Sequence, residues 1–252
     1  MASLRLMGMN RLAAAVVPLL VAGCASTAPA PEATSPVGKQ LEFSEAAKWA
    51  RYSAEHEAVY LQTYQLAAAR LVELTRDLEP GTWAVSLDAD ETVIDNSLYQ
   101  KEISLLGERY TPETWDTWVR RLEAPPLPGA LEFLGLIHDR GGKIIIVTNR
   151  DEPYCDLTRD NFRRHGIPFD LMLCRVDGKS PKEPRWEAVR TGKASPELPP
   201  LEIVMWLGDN VNDFPGLDQE LRHAPAEAFA AFGDRYFVFP NPMYGSWEDN
   251  PN

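Results

Sequence analysis

Two carboxylates one residue apart, Asp88 and Asp90, close the short apolar run Trp83 to Leu87, and a hydroxyl follows at Thr92. Unpaired charge near a core is expensive, so acids gathered where a strand ends call for a reason other than packing. Three further stretches carry polar groups in the same position. Thr148 and Asn149 end the run Lys143 to Val147, Lys182 follows a third run, and Asp209 and Asp213 follow Leu201 to Leu207. Grouped acids supply hard oxygen ligands that suit Mg²⁺. A lysine and a threonine hydroxyl beside them suit a phosphoryl group. The combination points to phosphoryl transfer, in which an enzyme mostly positions groups and neutralises charge. Asp88 can act as a carboxylate nucleophile, giving an aspartyl-phosphate. Asp90 can protonate the leaving oxygen and later activate water.

The elements that must position these groups are legible from periodicity. Residues 41–78 carry a broad apolar stripe without Gly or Pro and predict two helices, or one bent helix, packed on the main domain. Strands are predicted at 83–87, 143–147, 169–173, 201–207 and 236–239, separated by helices at 130–139, 153–165 and 182–190. Residues 96–128 read as an irregular helical insertion containing Trp115 and Trp118. Alternating strands and helices predict a doubly wound α/β parallel sheet with a small helical accessory region. In such a sheet, groups at the carboxyl ends of neighbouring strands meet at one edge.

The chain has 252 residues and a net charge of −12. No basic stripe is present, so binding to a nucleic-acid polymer is not expected. The three cysteines form no CxxC or Cys/His cluster, which speaks against zinc. His56, His138, His165 and His223 fall away from the strand edge, so histidine-based phosphoryl transfer is disfavoured.

The N-terminus has its own logic. Arg5 and Arg11 precede an apolar run from Leu12 to Ala22, too short to span a bilayer as a mature helix, and the run ends in Val21-Ala22-Gly23-Cys24. This resembles a bacterial lipobox. It predicts a signal peptide over 1–23 and a lipid anchor on Cys24, with residues 24–40 as a flexible tether rich in Ala, Pro, Ser and Thr. Ala25 after the cysteine favours the outer membrane. An oxidising compartment leaves Cys155 and Cys174 free to pair. The pairing is geometrically open, but two inert buried thiols are the expectation.

The order Asp-x-Asp-Glu-Thr, Val-Thr-Asn-Arg, Lys, Gly-Asp-Asn-x-x-Asp-Phe resembles the haloacid dehalogenase (HAD) superfamily. More narrowly it resembles the class C, four-aspartate acid phosphatases of bacteria, from the lipobox to Asn241-Pro242-Met243-Tyr244-Gly245-Ser246-Trp247-Glu248. The resemblance implies that Asp88 is nucleophile and metal ligand, and that Asp90 is acid/base and binds the metal through its main-chain carbonyl. It makes Asp209 the third protein ligand and Asp213 a support for the metal shell. Thr148 and Asn149 would hold phosphoryl oxygens, with Lys182, rather than Lys179, neutralising them. Trp115 and Tyr244 are candidates to stack on the leaving group, and a homodimer is implied. The expected function is Mg²⁺-dependent hydrolysis of small phosphomonoesters, 5′-nucleotides among the candidates, favoured at acidic pH because Asp90 must start protonated. A phosphotransferase on the same scaffold and a non-catalytic envelope lipoprotein are the competing expectations.

Overall fold

The computed structural model describes residues 43–176, 178 and 181–251. The predicted leader, Cys24, the tether and Lys179 lie outside them. Five strands form one parallel sheet: β1 (Trp83–Leu87), β2 (Lys143–Asp151), β3 (Leu171–Arg175), β4 (Glu202–Gly208) and β5 (Tyr236–Val238), in the spatial order β3-β2-β1-β4-β5. This is the doubly wound α/β sheet expected. Strand β1 is central, with β2 on one side and β4 on the other, and the chain order reverses there. A crevice at the carboxyl ends is the natural binding position of such a sheet.

Strand alternation assigns side chains to two cores. Val85, Leu87, Ile144 and Ile146 face a layer containing Tyr60, Tyr64, Phe133 and Phe162. Ala84, Ile145 and Val147 face Trp186, Val189 and Phe214. The first layer is built from α2 (Ala54–Leu74), α5 (Ala130–Asp139) and α6 (Cys155–Arg164); the second uses α7 (Glu183–Arg190). With both faces covered, β1 is buried along its whole length, as continuous apolar strands of parallel sheets are.

The N-terminal stripe divides into two helices, α1 (Glu45–Tyr52) and α2, at Ser53. Ser53 adopts an extended conformation (φ −86°, ψ 139°), its backbone N–H donating to Trp49 O. Its hydroxyl also accepts from His56 N, so one residue ends the first helix and caps the second. The insertion forms α3 (Ser97–Leu106) and α4 (Pro112–Arg121), the latter opened by the capping hydroxyl of Thr111.

Most boundaries shift by a residue or two from the sequence reading, and three of the shifts have a local cause or bear on the site. Strand β2 runs on to Asp151, so Thr148, Asn149 and Arg150 sit on the strand rather than after it, where the pairing with β3 shifts register. Strand β3 begins two residues later than predicted, because Asp170 is held in the preceding turn by Ile144 N, Lys143 and His138. The helix expected from Pro153 begins as a 3-10 turn, Glu152–Tyr154, before α6.

The expectation of two free thiols is overturned. Cys155 at the start of α6 and Cys174 on β3 form a disulfide with their Cα atoms 5.9 Å apart. The sequence separation is 19 residues. Helix α6 returns antiparallel over β3, which places its first turn beside the end of that strand. Closing a loop of that size stabilises by about 3 kcal/mol in the chain-entropy account. Replacing both cysteines by serine should therefore lower the unfolding free energy by about 2–3 kcal/mol. Denaturant titration of the double variant, beside wild type with and without reductant, measures it.

Candidate active site

The carboxyl ends of β1, β2 and β4 open into one cavity of about 730 Å³. Its wall includes Asp88, Asp90, Asn149, Lys182, Asp209 and Asp213. Trp115 and Tyr244 line the same space. Of the predicted site residues in the described chain, Thr148 alone is not on the wall. It is fully buried behind it, where its hydroxyl accepts from Arg150 N and keeps its own hydrogen to donate.

Lys182 holds the centre. It precedes the first residue of α7, its side chain is 2% exposed, and its Nζ lies 2.6 Å from both Asp88 Oδ1 and Asp213 Oδ1. Burial alone would lower the ammonium pKa, but Asp213 and Asp88 raise it, so it stays charged. Asp88 has the opposite surroundings. Burial raises its carboxyl, Lys182 pulls it down, and Asp213 and Asp90 push it up again, to about 7. Asp209 is raised well above the usual carboxylate range by burial, then by Asp213 and Asp88.

Asp88, Asp209 and Asp213 each offer an oxygen within 4.8 Å of the others. Hard oxygen donors crowded against one ammonium fit a divalent cation of the Mg²⁺ type. The geometry follows from the sequence around β4. Gly208 has no Cβ, and a Cβ there would lie 2.2 Å from Asp213 atoms. The glycine therefore lets Asp213 fold back against its own strand. Asp213 Oδ2 accepts from Asn210 N, closing the turn. Asn241 Nδ2 donates to Asp209 Oδ2, while its Oδ1 accepts from Met243 N. One asparagine thus ties the acid to the loop that carries Tyr244.

Asn149 is exposed, and Arg185 Nη2 donates to its Oδ1 at 2.7 Å. That bond leaves the amide hydrogens as the free groups. Trp115 packs edge-on against Tyr99, with centroids 5.2 Å apart. The Tyr244 hydroxyl is buried and makes no hydrogen bond among the described residues. Trp118, by contrast, is 2% exposed and belongs to the core.

Four functional neighbours were not found in the sequence. Arg150 grips Asp90 through Nε and Nη2, the shortest contact being 2.7 Å to Oδ1. Asn96 Nδ2 donates to the same oxygen at 2.7 Å. Tyr60 and Tyr64, on α2, donate to Glu91 O and Thr92 O, each at 2.6 Å. Arg150 stands in the motif Val-Thr-Asn-Arg, Tyr64 is among the residues that carry the family resemblance, and Asn96 follows Asp90 closely, but none of these positions declares the contact its side chain makes.

The two tyrosines explain a strained turn. Glu91 has φ 47°, a left-handed conformation that costs a residue with a Cβ about 1–2 kcal/mol. Its carboxylate accepts from Asn96 N at 2.8 Å, and the tyrosines fix the successive carbonyls of Glu91 and Thr92. Replacing both tyrosines by phenylalanine should cost about 2–4 kcal/mol, since two buried carbonyls lose their donors. Chemical denaturation of the double variant checks this.

Comparison with known proteins agrees with this geometry. Residues 9–247 match the model of the family described as HAD superfamily, subfamily IIIB (Acid phosphatase). The chain is similar to the solved class C acid phosphatase from Bacillus anthracis, with 34% identity and a TM-score of 0.72, covering 81% of this chain and 85% of that one. Its tungstate-bound form gives 32% identity and a TM-score of 0.71 over the same shares. The stem 28 kDa glycoprotein of Glycine max is 27% identical over 77% of this chain and 69% of its own. Acid phosphatase 1 of Solanum lycopersicum is 24% identical over 75% and 74%.

Proposed function

This chain belongs to the acid phosphatases of HAD subfamily IIIB, and from that premise we propose that it is Mg²⁺-dependent, with Asp88 as nucleophile. It is a phosphomonoester hydrolase. The observation that carries the finer reading is the Lys182 bridge: one buried ammonium, 2.6 Å from Asp88, beside two more acids at the mouth of the central crevice.

In this reading an Asp88 oxygen bonds to phosphorus while the bond to the leaving oxygen breaks. Asp90 supplies the proton that oxygen takes. Water then attacks the aspartyl-phosphate, with Asp90 taking the proton back. Lys182 and the Asn149 amide hold the phosphoryl oxygens, while Thr148, expected as a phosphate contact, is instead a support buried behind the wall that accepts from Arg150 N. Asp88, Asp209, Asp213 and the Asp90 main-chain carbonyl would hold Mg²⁺, which when bound neutralises charge on the phosphoryl group. Trp115 and Tyr244 face the same cavity and give an aryl or nucleobase leaving group two rings to stack on. That supports 5′-nucleotides as substrates.

Asp88→Asn should lower turnover of p-nitrophenyl phosphate by more than about 10³-fold. EDTA should abolish wild-type activity and added Mg²⁺ restore it. Full activity in the variant sinks the nucleophile, and full activity in EDTA sinks the metal. A panel of nucleotides, sugar phosphates and aryl phosphates sets the substrate class.

The proposal also includes a cell-envelope location, supported by the sequence around Cys24 alone, and a homodimer. Cys24→Ser should move the protein from the membrane to the soluble fraction when expressed in a bacterial host; unchanged membrane retention refutes the anchor. Sedimentation velocity reads the oligomeric state.

A further inference from the structure

Asp90 is the most tightly gripped acid in the cavity, and its two oxygens are treated differently. Oδ1 accepts from Asn96 Nδ2 at 2.7 Å, from Arg150 Nη2 at 2.7 Å and from Arg150 Nε at 3.1 Å. Oδ2 accepts from Arg150 Nε alone, at 3.0 Å. All of these partners are N–H donors, so an oxygen crowded by them has no room for a proton of its own.

The clamp is itself held. Arg150 Nη1 donates to Thr158 Oγ1 on α6, Nη2 also reaches Asn96 Oδ1, and the guanidinium lies 5.0 Å from the Trp115 ring centroid. Trp118 Nε1 donates to Asn96 Oδ1 at 2.8 Å, which fixes which way that amide points. Four of the five N–H groups of the Arg150 fork are engaged, including all three on Nε and Nη2, and its side chain is 3% exposed. The nitrogens that grip Asp90, Nε and Nη2, therefore have no hydrogen left for a phosphoryl oxygen, although Arg150 stands on the cavity wall.

We propose that Arg150, with Asn96, is a positioning residue that pins Asp90 Oδ1 and so makes Oδ2 the oxygen that delivers the proton to the leaving group. This rests on Asp90 being the general acid. The step balances simply: the Asp88–phosphorus bond forms, the phosphorus–oxygen bond breaks with its electron pair going to the leaving oxygen, and the proton on Oδ2 passes to that oxygen. Arg150 gains and loses nothing. It sets the direction from which the proton comes, and a planar fork does so where a point charge would not.

The test uses the demand of the leaving group for a proton. An alkoxide cannot depart without one, whereas p-nitrophenolate can. The ratio kcat/KM covers steps up to that departure and isolates the first half-reaction. In Arg150→Met, kcat/KM for an alkyl phosphate such as glycerol 2-phosphate is expected to fall about 10²-fold. The loss for p-nitrophenyl phosphate is expected to be at least about tenfold smaller. Arg150→Lys, which keeps charge without the fork, should show the same selectivity at reduced size, and it serves as the reporter if the Met variant does not fold. Equal losses on both substrates, or none, overturn the proposal.

Asp90→Asn is measured beside them. If it is selective against the alkyl phosphate while the Arg150 variants are not, Asp90 is the acid and the positioning role is wrong. If Asp90→Asn is itself unselective, the general-acid reading fails, and this inference falls with it.

Discussion

The site depends on one buried ammonium shared between two carboxylates. An isolated lysine at the depth of Lys182 would cost several kcal/mol to desolvate. Asp88 and Asp213, each 2.6 Å away, offset that cost. The account does not close at neutrality, because Asp209 adds a third acid to the same cluster. Burial first, and then that surplus of negative charge, raises Asp88 and Asp209. A divalent cation held by these acids would relieve it, and so a site for an anionic phosphate could be built in a strongly acidic protein. Lys182 can sit where it does because α7 is fastened to the central strand: Trp186 Nε1 donates to Ser86 Oγ at 2.9 Å, both groups being buried.

Rigidity at the sheet edge is supplied from outside the sheet. The turn after β1 must bring Asp88 and Asp90 to the same cavity, and it does so through a strained Glu91. That strain persists because donors from α2 and from the start of α3 over-determine the local backbone. The N-terminal helices are therefore more than packing on the core. Their two tyrosine hydroxyls end on the successive carbonyls of Glu91 and Thr92, just past Asp88 and Asp90, and the Tyr60 ring stacks on Phe239 with centroids 4.9 Å apart. Phe239 directly precedes the loop containing Asn241, which binds Asp209. A single aromatic layer thus supports both acidic strand ends.

What could be read in the sequence, and what could not, divides along physical lines. Strand ends are one-dimensional features: an apolar run followed by Asp88, Asn149 or Asp209 declares both the strand and the edge it reaches. The sheet order then brings those residues together without further information. The clamp on Asp90 is different, because Arg150 and Asp90 lie 60 residues apart. Nothing in periodicity says that the arginine turns toward an acid in the turn after the neighbouring strand. Thr148 was legible as a residue type, but its burial behind the cavity wall was not. The disulfide was missed for a related reason. Two cysteines on adjacent elements can pack as thiols or bond, and the choice lies in the 5.9 Å approach of their Cα atoms.

The two cations at the edge divide the work according to their shapes. Lys182 carries a compact charge that can be shared among Asp88, Asp213 and a phosphoryl oxygen, because an ammonium places no planar demand on its partners. Arg150 carries a planar fork that fits one carboxylate and fixes its orientation. Exchanging them would fail in both places. An arginine at 182 would bring a bulky plane into a space that holds two carboxylates within 2.6 Å of a single nitrogen. A lysine at 150 would hold Asp90 by charge while leaving its carboxyl free to rotate. In the proposed mechanism the neutralisation of phosphate and the aiming of a proton make different geometric demands, which the compact ammonium of Lys182 and the planar fork of Arg150 would meet separately.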